Sequence, residues 1–590
     1  MRLLLIGLFI SNLCLAQTNS YDISFENAVH HEAKIKANFP QLKANSLILE
    51  MSSSSPGRYA IHQFAKNIYD LKATNSKGDA LVAERVSPST WKIKGHDGEV
   101  NLEYLLFANR ADGTYSQVDE THAHLNIPAT FIYPKNLEHR EVEVHVNIPK
   151  ESNWKIATQL KKLQEDTFYA PNLYYFMDSP IEVSDFEMKE FNMDGKTIRF
   201  ALHQKENTAQ FETYFEQVKK IVEQEKMVFG ELPAFDFDTY TFLACYLPHV
   251  SGDGMEHRNS TILTDTESIE EGGMKNNIGT VSHEFFHAWN VERIRPHDLE
   301  PFDFTKANMS GGLWFAEGFT SYYTNLILTR AGIISNEDYV NGLNGTFNYV
   351  WNSPALKFFN PIEMSYQAPF VDAATSLDPV NRENTFISYY SYGSVLGLAL
   401  DLSLRKKDLN LDDFMKQVWQ QHGKKEVTYT IEDLQNILSD YAGKEFAVNF
   451  FERYIYHSEM PNYMELFENV GLKIKQNKNE VEFGAAIKNA KEHIVISGNP
   501  HRGKPAYNAL LEAGDIITSV DGILIKDKTQ WGQLLENYAP GKSIEVKYMR
   551  NNKEAKTQLH LSANTTYTIC INKEASKKAI KAREKWLQKR

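Results

Sequence analysis

The spacing of apolar residues changes several times along this chain, and that fixes which kinds of layer it must build. From Tyr21 to about Ile148 apolar and polar residues alternate in short runs, as in Asn45–Met51 (NSLILEM) and Glu141–Ile148 (EVEVHVNI). Turn signals at Ser55–Gly57, Gly95–Gly98 and Ala111–Gly113 separate these runs, the pattern of half-buried strands in an all-β domain. Between Ala209 and Phe229 the period lengthens. Phe211, Tyr214, Phe215, Val218, Ile221 and Val222 recur every three or four residues and predict an amphipathic helix, and Thr239–Tyr246 then reads as a strand. From Gly279 to about Ser458 helical spacing dominates, for instance at Ile431, Leu434, Ile437 and Leu438. Residues 467–562 return to strand-like runs, with turn signals at Gly514-Asp515 and Asp521-Gly522. The segment Lys573–Arg590, with eight basic and two acidic side chains, reads as a solvated helix or tail.

Composition narrows the functional classes. At 42% apolar and 24% charged residues the chain is an ordinary globular one, and 590 residues suggest about four domains. A formal charge of −13 argues against a nucleic-acid or anionic-membrane binder. Three cysteines exclude a disulfide-stapled scaffold and a Cys-rich zinc module. Met1-Arg2, the apolar run Leu3–Ile10, and small residues at Cys14 and Ala16 describe a secretory signal peptide cut after Ala16, which predicts a secreted or periplasmic protein. Leu13 before Cys14 argues against a lipoprotein site. Without the signal, Cys245 and Cys570 remain; both lie in apolar contexts and read as buried thiols, with a disulfide as the alternative.

His283-Glu284-Phe285-Phe286-His287 carries the most chemistry. Four residues apart on a helix, both imidazoles project from one face and can reach one zinc ion, while Glu284 turns toward the open coordination position. Such a pentapeptide arises by accident in roughly one chain in twenty-five of this composition, so its context matters. Ile278, Val281 and Phe285 can anchor a helix over Asn276–Asn290, and no proline interrupts it before Pro296. A zinc hydrolase needs a third protein ligand and leaves the fourth position to water. Downstream, in Leu313–Tyr323 (LWFAEGFTSYY), Glu317 interrupts the apolar face of a second helix running to about Arg330. A carboxylate there is costly to bury unless paired or metal-bound, which makes Glu317 the third ligand.

The segments His283–Pro296 (HEFFHAWNVERIRP) and Trp314–Tyr323, together with Ser55–Tyr59 (SPGRY), resemble the glycyl aminopeptidase family, gluzincin zinc metallopeptidases with a C-terminal PDZ domain. The resemblance implies a multidomain α+β architecture: a signal peptide at 1–16, an N-terminal all-β domain at 17–170, a thermolysin-like α/β catalytic domain at 171–332, a helical domain at 333–462, a PDZ-like domain at 463–563, and a basic tail or helix at 564–590. It implies one zinc ion per chain on His283, His287 and Glu317, with Glu284 as general base and acid. By the same likeness Gly254, Met255 and Glu256 in Ser251–Ser260 (SGDGMEHRNS) line the substrate, and Glu256 pairs with its α-ammonium group. His257 stands where relatives have Asn. In Ile387–Ser394 (ISYYSYGS), Tyr390 takes the place of the oxyanion-stabilising tyrosine, with Tyr389 as the alternative donor and Tyr392 replacing a Lys. Arg293 and Arg295 read as helix-end and domain ion pairs rather than substrate clamps.

Pro505–Ile525 resembles bacterial PDZ domains, which bind extended peptides by strand addition. Val481–Ala485 is a candidate carboxylate-binding loop, the inserted segment Gly498–Lys504 leaves its alignment with other PDZ domains open, and a peptide-binding and a purely architectural role both stand. The leading expectation is a zinc aminopeptidase acting on peptides, with small first residues such as Gly or Ala. A zinc endopeptidase and a catalytically silent PDZ-containing peptide binder are the alternatives. No nucleic acid and no transmembrane segment are expected.

Overall fold

Thr239–Tyr246 is the most continuously buried strand of the chain's first half, and its sequence explains why: all but its first residue lie out of solvent, as in a strand covered on both faces. The structure, a computed structural model, describes residues 18–206, 209–371, 378 and 380–589. The signal-peptide reading of residues 1–16 lies outside them. The chain divides into two units, one holding residues up to 56, 62–207 and 235–266, the other residues 57–61, 208–234 and 267–590.

The first unit is built of sheets. An eight-stranded sheet pairs Asn19–Asn27 in parallel with Val142–Val146 and antiparallel with Glu32–Phe39, and two four-stranded sheets accompany it. One of these contains β1 (His122–Leu125) and β2 (Ile181–Ser184), paired antiparallel with His124 opposite Glu182. A five-stranded sheet follows. β3 (Lys196–Gln204) runs parallel to β4 (Thr239–Tyr246), which runs parallel to β6 (Ser260–Asp265), with β5 (Asp253–His257) antiparallel at that edge. The parallel pairing of β3 and β4 sets His203 directly beside Cys245.

The second unit is helical, with a β module toward its C-terminal end. α1 (Gln210–Phe229) buries the apolar stripe expected of it, Phe211, Tyr214, Phe215, Val218, Ile221 and Val222. α2 (Ile278–Phe286) is shorter than the expected Asn276–Asn290 helix. It stops because Asn290 turns inward: its amide donates to the Phe315 and Ala316 carbonyls, and the Val291 and Glu292 amides both bond back to the His287 carbonyl. α3 (Leu313–Arg330) and α4 (Tyr389–Arg405) cross closely. A Cβ on Gly393 would stand 1.8 Å from the Trp314 carbonyl oxygen, and one on Gly318 2.3 Å from the Gly393 Cα, so only glycines permit this approach. Arg293 donates to the Ala288 and Ala234 carbonyls and Arg295 pairs with Glu300, both holding backbone or ion pairs.

The β module packs Ile494, Ile517, Ile544 and Val546 with Phe483 and Trp531. Asp521 and Gly522 have φ of 47° and 81°, the two positive values of a type I′ hairpin, and join Ile516–Val520 to Ile523–Leu524. In the candidate loop the Phe483 and Gly484 carbonyls already accept from the Ala506 and His501 amides. The basic C-terminal segment corrects the solvated reading in part. α5 (Lys577–Leu587) forms, but Trp586 and Leu587 are buried, the Trp586 indole donating to the Tyr322 hydroxyl and its carbonyl accepting from Arg330. Ala579, Trp586 and Leu587 are the buried residues that dock the helix, and fully burying one large apolar side chain contributes about 1.5–3 kcal/mol. Cys245 is a buried free thiol and Cys570 a half-buried one, so no disulfide joins them.

Candidate metal centre

α2 and α3 pack through Phe286 and Tyr323, whose rings stack at 4.7 Å, and Trp289 stacks on Phe229 at 4.8 Å. Truncating such a buried aromatic costs about 3–5 kcal/mol, so the helix carrying His283 and Glu284 is firmly placed. Its last turn and its C-cap present His283 and His287 toward Glu317 of α3. The His283 and His287 Nε2 atoms are 3.1 Å apart, and Glu317 Oε2 lies 3.2 Å from His287 Nε2 and 3.8 Å from His283 Nε2. Ligands on one tetrahedral zinc are separated by about 3.4 Å.

Hydrogen bonds fix the tautomers. His287 Nδ1 donates to the Asn290 carbonyl at 2.5 Å. Thr324 Oγ1 gives its proton to the Thr320 carbonyl, so it accepts from His283 Nδ1 at 3.1 Å. Both Nε2 atoms therefore offer lone pairs to the same point that Glu317 Oε2 faces. Burial keeps the His283 imidazole on the neutral side. Three lone pairs at these separations repel one another unless a cation sits among them, and the two-His, one-carboxylate set suits zinc. The other Glu317 oxygen, Oε1, accepts from the Tyr59 hydroxyl at 2.6 Å, an outer contact that orients the ligand.

Glu284 is buried and brings a carboxylate oxygen within 4.8 Å of a His287 ring nitrogen. Tyr390, at the start of α4, is half-buried, with its ring centroid 6.0 Å from that of His283 and 4.8 Å from that of Tyr389. Tyr389 is buried against Tyr59 and Leu313, and Tyr392 is buried near Ser458. Gly254, Met255 and Glu256 lie on β5, the edge strand of the five-stranded sheet, with Met255 and Glu256 buried. His257 is spent on structure: its Nδ1 bonds Asp178 at 2.9 Å. Sequence reasoning assigned no role to Tyr59, Thr324 or Asn290. The only signal was Tyr59 in the SPGRY segment, 258 positions from its partner.

These features define a metallopeptidase class, and comparison with known proteins agrees. Residues 20–185 match the peptidase M61 N-terminal domain, residues 276–396 the M61 glycyl aminopeptidase, and residues 471–561 a PDZ domain. In chain order these matches are the N-terminal and catalytic domains of M61 glycyl aminopeptidases followed by a PDZ domain. A crystal structure of an aminopeptidase N family protein from Idiomarina loihiensis is similar in fold, with a TM-score of 0.85 and 24% identity over 97% of this chain and 100% of that one. An M1 zinc metallopeptidase from Deinococcus radiodurans aligns at a TM-score of 0.44 and 13% identity, over 76% of this chain and 95% of that chain. A probable periplasmic serine endoprotease, DegP-like, from Brucella suis biovar 1 (strain 1330) is 29% identical over 82 residues, 14% of this chain. That match spans 16% of the curated relative's length. Among the described residues no helix is long and apolar enough to cross a membrane.

Proposed function

We propose that the chain is a zinc-dependent aminopeptidase that removes small N-terminal residues, Gly or Ala, from peptides outside the cytoplasm. The observation that carries the reading is the convergence of the His283, His287 and Glu317 lone pairs, with the carboxylate of Glu284 beside them. These three residues would hold one zinc ion, which when bound supplies Lewis acidity toward the scissile carbonyl and ionises water near neutral pH. The Glu284 carboxylate takes the proton of the attacking water and returns it to the leaving amine. The Tyr390 hydroxyl donates to the developing oxyanion. Its half-exposed ring near His283 favours it over the buried Tyr392. Glu256 pairs with the substrate α-ammonium and sets the register at one residue, a role resting on the family resemblance, as do Gly254 and Met255 beside it. Export rests on Met1–Ala16 alone.

Matched peptides with free and acetylated N-termini test the reading. Stepwise release of the first residue from the free peptide only is the expected result. Equal internal cleavage of both would show an endopeptidase, and no cleavage by the zinc-loaded protein would show a silent binder.

A further inference from the structure

A second cluster of ligand atoms lies wholly within the sheets of the first unit. His122 on β1, Glu182 on β2, His203 on β3 and Cys245 on β4 are all buried and bring one ligand atom each within 4.8 Å of the others. Cys245 Sγ is 3.5 Å from His122 Nδ1 and 3.8 Å from His203 Nδ1. Glu182 Oε1 is 3.5 Å from His122 Nδ1 and 3.4 Å from His203 Nδ1. Around one tetrahedral zinc with ordinary bond lengths, sulfur–nitrogen edges measure about 3.6 Å and nitrogen–oxygen edges about 3.3 Å. The four observed edges follow those values.

A plain hydrogen-bond network accounts for the cluster less well. Glu182 Oε1 is buried and accepts no hydrogen bond, although two imidazole nitrogens stand near it. Its other oxygen is already served by His124 Nδ1 at 3.1 Å. The outward nitrogens of both ring ligands face carboxylates: His122 Nε2 is 3.4 Å from Asp119 and His203 Nε2 is 3.7 Å from Asp185, the outer arrangement that orients metal-bound histidines. A buried carboxylate and a thiolate together carry two negative charges, which a dication neutralises.

We propose that His122, Glu182, His203 and Cys245 form a second zinc site, a closed structural one. Four protein ligands leave no position for water or substrate, so the ion would do no chemistry. Its ligands come in pairs from two sheets, His122 and Glu182 from the four-stranded sheet and His203 and Cys245 from the five-stranded one. The ion therefore pins one sheet to the other.

Metal analysis of the zinc-loaded full chain after removal of free zinc tests this, with cobalt(II) substitution as the spectroscopic arm. The expected result is about two equivalents of zinc per chain. Cobalt-loaded protein should show a near-ultraviolet thiolate-to-cobalt charge-transfer band, which His283, His287 and Glu317 cannot produce because they hold no sulfur. Cys245→Ser should lose one equivalent and the band, and Cys570→Ser should keep both. His287→Ala, which disables the other centre, should retain one equivalent and the band, so the two sites fail independently. One equivalent and no band in the wild-type chain would overturn the proposal whether or not any variant folds. Two equivalents without the band would also overturn it, by placing the second ion away from Cys245.

Discussion

The two clusters of ligating side chains solve the problem of gathering polar groups in opposite ways. His283, His287 and Glu317 hang from two helices, and His283 keeps 18% of its side chain exposed. His122, Glu182, His203 and Cys245 hang from four strands, none with a side chain more than 5% exposed. The open set leaves a face where water, Glu284 and Tyr390 can act, whereas the closed set has none. Helices write such sites locally, because residues four apart share a face. Sheets write them across the fold, because neighbours on adjacent strands can be tens of residues apart in sequence.

Replacing one ligand in each cluster should separate them most strongly. His287→Ala is expected to abolish measurable peptide hydrolysis, while Cys245→Ser keeps turnover near wild type and lowers Tm, read by calorimetry with and without chelator. Turnover lost equally in both variants would break the distinction between an open and a closed site. Within the open site, Tyr390→Phe should reduce kcat by about 10²–10³-fold with KM and zinc content unchanged, as for removal of one oxyanion donor. Tyr392→Phe, at a ring buried near Ser458, should not reduce kcat in this way.

The helix crossing is the next largest effect. Gly393→Ala drives a methyl into the Trp314 carbonyl and should cost about 1–3 kcal/mol or more, measured by denaturant unfolding. It should also lower kcat, because Glu317 and Tyr390 sit beside the two glycines that meet there. Tyr59→Phe is the mildest change: loss of the hydrogen bond to Glu317 should weaken zinc binding about 10–100-fold in a chelator competition while leaving saturated turnover nearly intact.

The contrast between the clusters also explains what the sequence displayed. His283, Glu284 and His287 are a contiguous helical pattern, and Glu317 was visible as a charge breaking an apolar helix face. The α1 stripe and the strand Thr239–Tyr246 followed from their periods. The end of α2 at Phe286 was not legible, since it depends on Asn290 reaching the carbonyls of Phe315 and Ala316 on another helix. Nor was the docking of Trp586, hidden among lysines and arginines. Cys245 was legible only as a buried thiol: its neighbours His122, Glu182 and His203 reach it through strand pairing and sheet packing, which no local spacing encodes. The low cysteine count excluded a Cys-rich zinc module, but a single thiolate among histidines and a carboxylate escapes that argument.

The proposed role of Glu284 is that of proton carrier for hydrolysis at the helix-borne centre. Measuring zinc content and peptide turnover together on Glu284→Gln tests it most directly. The variant should keep wild-type zinc content with turnover reduced by about 10²–10⁴-fold. Zinc retained with unchanged turnover would contradict it.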